Sequence, residues 1–162
     1  MIQIDFFGCK REQIATCNWE EACDRFPFIG ITIPCASALT SLSEALTGCR
    51  AFPAEPVPSS IKAFQELSDR LLTAVREATA DDMTDAGARW AQLPPWKPLD
   101  TNPMDLAGFL LHLRSLVHGP GREENSIFML AEAGDLSPYQ ILQRNQVPEP
   151  TSCSRRQVES LE

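Results

Sequence analysis

The stretch Asn102-Pro103-Met104-Asp105-Leu106-Ala107-Gly108-Phe109-Leu110-Leu111-His112-Leu113-Arg114-Ser115-Leu116-Val117-His118 decides the fold class, together with Ile127-Phe128-Met129-Leu130 beyond a polar loop. Its opening is the best helix start in the chain. Asn102 reads as the N-cap, Pro103 sits at the first helical position where its missing N–H costs nothing, and Asp105 meets the positive helix end. Leu106, Phe109, Leu110, Leu113, Leu116 and Val117 form a continuous apolar stripe, and Gly119-Pro120-Gly121 ends it. The spacing predicts the central core helix. The run Ile127–Leu130 reads as a buried strand, with a single helical turn as the alternative.

Working outward, Ile2, Ile4 and Phe6 alternate with Gln3 and Asp5, the period of a half-buried strand. Asn18-Trp19-Glu20-Glu21 has capping-box form and opens a short helix to about Arg25, which Pro27 stops. Phe28-Ile29-Gly30-Ile31-Thr32-Ile33 is β-branched and extended. From Ala36 the period becomes helical, with Leu39, Leu42, Ala45 and Leu46 on one face and Gly48 placed to close the helix in a left-handed conformation. Pro53, Pro56 and Pro58 make residues 50–60 a loop.

Ser59 or Ser60 is then expected to cap a long helix. Its stripe is Ile61, Phe64, Leu67, Leu71, Val75 and Ala78, with Lys62, Glu66, Asp69, Arg70 and Glu77 facing water. A further helix over Asp81–Leu93 carries Met83, Ala86, Trp90 and Leu93, and Pro94-Pro95 ends it. Trp96–Thr101 reads as an extended connection. Ser137-Pro138-Tyr139-Gln140 opens a last short helix to about Arg144. The expected fold is α+β and mainly α-helical, with helices packed around a small sheet of short strands. Residues 1–145 read as one globular domain and 146–162 as a flexible tail. Leu161-Glu162 has the look of vector-encoded residues preceding a purification tag.

The chain has 162 residues, 14 Lys+Arg against 22 Asp+Glu, and a net charge of −8. A hydrophobic share of 43% in 18.0 kDa is enough to build a core. The acidity argues against a general nucleic-acid binder, which needs a cationic face. No apolar run approaches the roughly 20 residues of a membrane span. Met1–Phe7 lacks the features of a secretory signal, so a cytoplasmic protein with reduced thiols is expected. None of Cys9, Cys17, Cys23, Cys35, Cys49 and Cys153 shows C-x-x-C spacing. They read as small buried hydrophobes plus one tail thiol, with a structural disulfide among the first five or a metal site as lesser alternatives.

Chemistry-bearing patterns are few. His112 and His118 lie six apart, about 240° around a helix, and cannot share a face. Cys35, just before a predicted helix, is the one position where a helix N-terminus could activate a nucleophile. Phosphate-binding loops, nucleophile elbows and zinc-protease motifs are absent, and no cofactor or metal is implied. Between Glu66 and Asp85 the acids Glu66, Asp69, Glu77, Asp81, Asp82 and Asp85 face only Arg70 and Arg76, a local balance of −4. Such a field steers basic partners. Trp96, between prolines, is expected to be the least buried tryptophan and to serve as an interface anchor, while Trp90 lies on an apolar helix face and Trp19 packs beside its own helix start.

Two segments resemble the YfbM-like bacterial proteins, a family of small α+β proteins. Ile31-Thr32-Ile33, then Ala38-Leu39, Leu42 and Ala45-Leu46-Thr47-Gly48, is similar to that family's apolar strand and its helix ending in Leu-Thr-Gly. Asp105–Leu110 through Leu116, then Ile127–Leu130, is similar to its late helix and closing strand. The family's Trp-His pair before Leu-Thr-Gly is absent, with Ala38 and Ser41 in that region, so no site residues carry over. The resemblance implies a bacterial cytoplasmic protein, and some relatives of this shape serve as immunity factors.

These readings converge on a non-enzymatic binding protein, an immunity protein that occludes the active site of a basic bacterial toxin. The expected contacts are Glu66, Asp69, Glu77, Asp81, Asp82, Asp85 and Trp96. The alternatives are an acidic secretion chaperone for an effector and a small enzyme with Cys35 as nucleophile.

Overall fold

Strand-forming segments from both ends of the domain meet in one sheet. The computed structural model describes residues 1–57 and 64–131. Within them β1 (Ile2–Cys9), β2 (Phe28–Ile33), β3 (Ala54–Pro56), β4 (Gln65–Leu67) and β5 (Ser126–Ala131) take the order β2-β1-β5-β4-β3. Every pair is antiparallel. The helices are α1 (Arg11–Ile14), α2 (Trp19–Arg25), α3 (Ser37–Thr47), α4 (Asp69–Glu77), α5 (Ala80–Gln92) and α6 (Pro103–Ser115). The fold is α+β, with helices packed on a small sheet.

β1 is not half-buried. It lies between β2 and β5, and Ile4 through Cys9 are all buried because both of its faces are covered. Ile4 and Phe6 join the larger core with α3, α4, α5 and α6. Phe7 and Cys9 join a second core with Ile14, Cys17, Ala22 and Phe26 from the α1–α2 segment. Strand alternation thus divides the apolar residues between two layers.

The helix expected to run from Ser59 or Ser60 to Ala78 is instead a strand followed by a helix. Gln65–Leu67 pairs with β5 and β3, and Ser68 is the N-cap of α4, its side chain accepting from Leu71 N at 3.3 Å. Ile61 and Lys62 lie outside the described residues. Leu67 joins the larger core while Phe64 joins the second, the signature of a period of two. The stretch 50–60, expected as a loop, contributes β3. Lys97–Leu99 forms a 3-10 turn where an extended connection is expected.

Other boundaries follow the sequence. Asn18 caps α2 by accepting from Glu21 N, Gly48 closes α3 at φ 73°, and Asn102 caps α6 by accepting from Met104 N with Pro103 at the first position. The helix expected at Ser137–Arg144 and the tail 146–162 lie outside the described residues. No helix among the described residues is long and apolar enough to cross a membrane.

An aromatic series joins sheet to helices. Phe6 meets Phe109 edge-on at 5.5 Å, Phe109 lies 6.0 Å from Trp90, and Trp90 meets Trp96 edge-on at 5.2 Å. Trp90 Nε1 donates to Ser41 Oγ at 2.8 Å, tying α5 to α3.

Candidate functional site

The acidic stretch 66–85 does not form one face. Register places Glu66 opposite Phe128, on the α1–α2 side of the sheet. There its carboxylate accepts from Arg11 Nε at 2.9 Å and forms an ion pair with the Arg11 guanidinium. Asp69, in the first turn of α4, also acts on Arg11, raising its pKa together with the dominant Glu66. Glu66 is therefore already paired with a cation within the chain, while Asp69 is exposed and forms no ion pair among the described residues.

The remaining acids gather elsewhere. Glu77 at the end of α4 and Asp82 and Asp85 on α5 line a shallow groove of about 300 Å³ with Leu46, Ala86 and Arg89. The Arg89 guanidinium donates to the Ala45 carbonyl at 3.0 Å and so completes the C-terminal end of α3. Asp82 is the third residue of a capping box. Its carboxylate accepts from Thr79 N at 2.8 Å while Thr79 Oγ1 accepts from Asp82 N. The Thr79 backbone N–H, and then the Thr79 side chain, hold the Asp82 carboxyl below its ordinary pKa, with Arg89 contributing less. Asp81 is exposed beside it in the first turn. Glu77, Asp81 and Asp85 form no ion pair among the described residues.

Trp96 is not an exposed anchor. Only 5% of its surface is accessible, because the 3-10 turn that it precedes folds it against Trp90. Its Nε1 is buried without a hydrogen-bond partner. The exposed tryptophan is Trp19, which donates from Nε1 to Asp5 Oδ2 at 2.8 Å. Asp5 is buried and also accepts from Gln3 Nε2 at 3.2 Å. Gly30, opposite Asp5 in the register, makes room for them: a Cβ there would lie 2.8 Å from Asp5 Oδ1. An Asp inside an apolar strand is the one sequence signal that could have revealed this buried polar group.

The nucleophile candidate gains no base. Cys35 Sγ lies 3.0 Å from Ser37 Oγ. His118, beyond the end of α6, bonds the Arg76 carbonyl through Nε2 at 2.8 Å, and His112 is exposed on α6. No hydrogen bond joins either imidazole to Cys35 among the described residues. Cys9, Cys17, Cys23 and Cys35 are free thiols, and Cys49 is not among them. Cys49 is disulfide-bonded, so the expectation of free thiols fails there. No group of three potential metal ligands assembles among the described residues.

A larger groove, about 540 Å³, runs between β2 and α6. Ile29, Ile31, Leu106, Phe109 and Trp96 make it apolar, and Asp105 and His112 stand on the helical side. The sequence reading missed it because the groove arises only where the sheet edge meets the helix.

Compared with known proteins, the chain matches no family model, and no significant match is found among curated proteins or solved structures.

Proposed function

We propose that this protein is a non-enzymatic binding protein of the immunity type, which neutralises a basic bacterial toxin in the cytoplasm by covering its active cleft. The observation that carries this reading is the α4–α5 surface, where Glu77, Asp81 and Asp85 form no ion pair among the described residues and Arg89 is already engaged. A cleft that binds an anionic substrate is cationic, and carboxylates presented on a rigid helix pair can occupy it in the substrate's place. The contacts proposed are Glu77, Asp81, Asp82 and Asp85, with Asp69 at the start of α4. Glu66, paired with Arg11, and Trp96, which is buried, are left out of the proposed set. The resemblance of the 31–48 and 105–130 segments to YfbM-like proteins supports a bacterial setting.

The test is co-expression with the product of the adjacent gene. That product should be toxic alone and harmless with this protein. The complex should weaken as salt rises, and Asp81→Lys with Asp85→Lys should slow association at least tenfold, the scale expected for lost electrostatic steering. An adjacent product that is harmless alone overturns the reading.

A further inference from the structure

The two edges of the sheet are built differently. β3 is only three residues long and carries Glu55 and Pro56, features that discourage further strand pairing. β2 is six residues long, Phe28-Ile29-Gly30-Ile31-Thr32-Ile33, with no charge, no proline and no bulge. Gly8 N donates to the Pro27 carbonyl at 3.0 Å, which sets the phase of the β1–β2 ladder. In an antiparallel pair the bonded residues recur every second position, so Ile29, Ile31 and Ile33 bond β1. Phe28, Gly30 and Thr32 therefore turn their N–H and C=O groups outward.

The helix beside this edge has a complementary layout. Asp105, Gly108 and His112 all line the groove against β2. They span about 10 Å of helix at 1.5 Å per residue, close to the length of Ile29–Thr32 as a strand. Gly108 lies in the middle, and a Cβ there would meet nothing within 4 Å among the described residues. The acid and the imidazole stand on either side of it. Met104 is 64% exposed at the groove, an apolar side chain that no described residue covers.

We propose that the β2 edge and the α6 groove form a two-fold interface with a second copy of this chain. A two-fold axis at Gly30 pairs Gly30 with Gly30 of the second copy and Phe28 with its Thr32, joining the outward backbone groups in a continuous sheet. On the groove side Ile29 meets Ile31 of the second copy, so apolar side chains face apolar side chains. The same axis sets the two α6 helices antiparallel. Each Asp105 then approaches His112 of the other copy, and the imidazole N–H donates to the carboxylate. This charge complementarity is reciprocal, as an isologous contact requires. The two grooves merge into one apolar seam that Met104 from each copy fills. The interface contains no part of the acidic α4–α5 surface, so it does not rest on the proposed function.

Sedimentation equilibrium and light scattering on the full chain across the micromolar range, at about 0.15 M salt, should give twice the 18.0 kDa chain mass. Gly108→Arg should be monomeric with an unchanged circular dichroism spectrum, because the site has room in the single chain and the helix loses a glycine. Thr32→Pro, which removes an outward N–H and leaves the backbone bonds to β1 while losing the Thr32 Oγ1–Gln3 bond, should be monomeric as well. In the dimer the Phe28, Gly30 and Thr32 amides should exchange at least tenfold more slowly than in Gly108→Arg. A strictly monomeric wild type leaves the groove to an extended segment of some other protein and overturns the proposal. So does a dimer that survives both substitutions, or one in which those three amides exchange as fast as in Gly108→Arg.

Discussion

Trp19 on α2 donates its indole N–H to the Asp5 carboxylate on β1 at 2.8 Å, and so closes one face of the sheet over a buried acid. Asp5 receives a second bond from Gln3, whose own Oε1 accepts from Thr32 Oγ1 at 2.6 Å. The result is a polar chain from the edge strand to the α2 helix. A buried carboxylate is tolerated when its oxygens are bonded, and these are. Trp19→Phe should cost about 1–2 kcal/mol, toward the lower end for a bond to a charged group because the indole is partly exposed. A double-mutant cycle with Asp5→Ala in urea checks this. A coupling near zero would show that the bond contributes nothing to stability.

Ser41→Ala should cost about 1–3 kcal/mol, because it leaves the buried Trp90 N–H without an acceptor. The loss belongs to the α3–α5 contact, so near-ultraviolet circular dichroism should change while helix content does not. Equilibrium denaturation gives the magnitude.

Gly87 on α5 touches the backbone of α6, and a Cβ there would lie 2.6 Å from Ala107 Cα. Gly87→Ala should destabilise by about 1–3 kcal/mol, since the overpacking of two helix backbones outweighs the roughly 1 kcal/mol gain in helix propensity. Gly108→Ala, on the open side of α6, should have the opposite sign. Denaturation midpoints of the two variants compare the same substitution in crowded and free positions.

The Asp82 carboxyl is held below its ordinary pKa by the Thr79 backbone N–H and then by the Thr79 side chain. The folded state therefore binds this proton less readily than the unfolded chain. The resulting stabilisation is complete above the unfolded value of about 3.9 and is lost as pH falls through the lower folded value. Asp82→Asn should flatten the stability profile below about pH 4. A carboxyl titration followed by NMR should place Asp82 below the ordinary aspartate value.

Burial pushes the Cys9 thiol up to about 12, with the nearby Cys17 adding to the shift. Its thiolate fraction at pH 8 is therefore negligible, and the side chain is 2% exposed. Iodoacetamide at pH 8 should leave Cys9 unmodified in the folded protein and label it fully in denaturant, as read by peptide mass spectrometry. Rapid labelling of native Cys9 would mean that the second core opens readily.

The helix starts could be read locally because a cap is a short-range bond. Asn18 and Asn102-Pro103 each place a side-chain oxygen beside the free N–H groups of their own first turn. Thr79 does the same for α5, a local signal that the reading of that helix from Asp81 passed over. Gly48 is legible for the same reason, since the left-handed turn is a property of one residue. The stretch 61–78 misled because Phe64, Leu67 and Leu71 fit a helical stripe as well as a strand followed by a cap. The choice was made by β5, more than sixty residues away in sequence, whose Met129 and Phe128 pair with Gln65 and Glu66.

By itself the sequence determined the apolar residues, the caps at Asn18 and Asn102, the Gly48 helix end and the net charge, all of which depend on residue type and near neighbours. Only the tertiary structure decided where the charge acts. Sheet alternation sent Glu66 to Arg11 on one face, while the α4–α5 packing brought Glu77, Asp82 and Asp85 together on another surface. It likewise buried Trp96 and left Trp19 half-exposed, because a tryptophan's burial depends on what packs over it, and Trp90 and the Lys97–Leu99 turn reach Trp96 only in the folded chain.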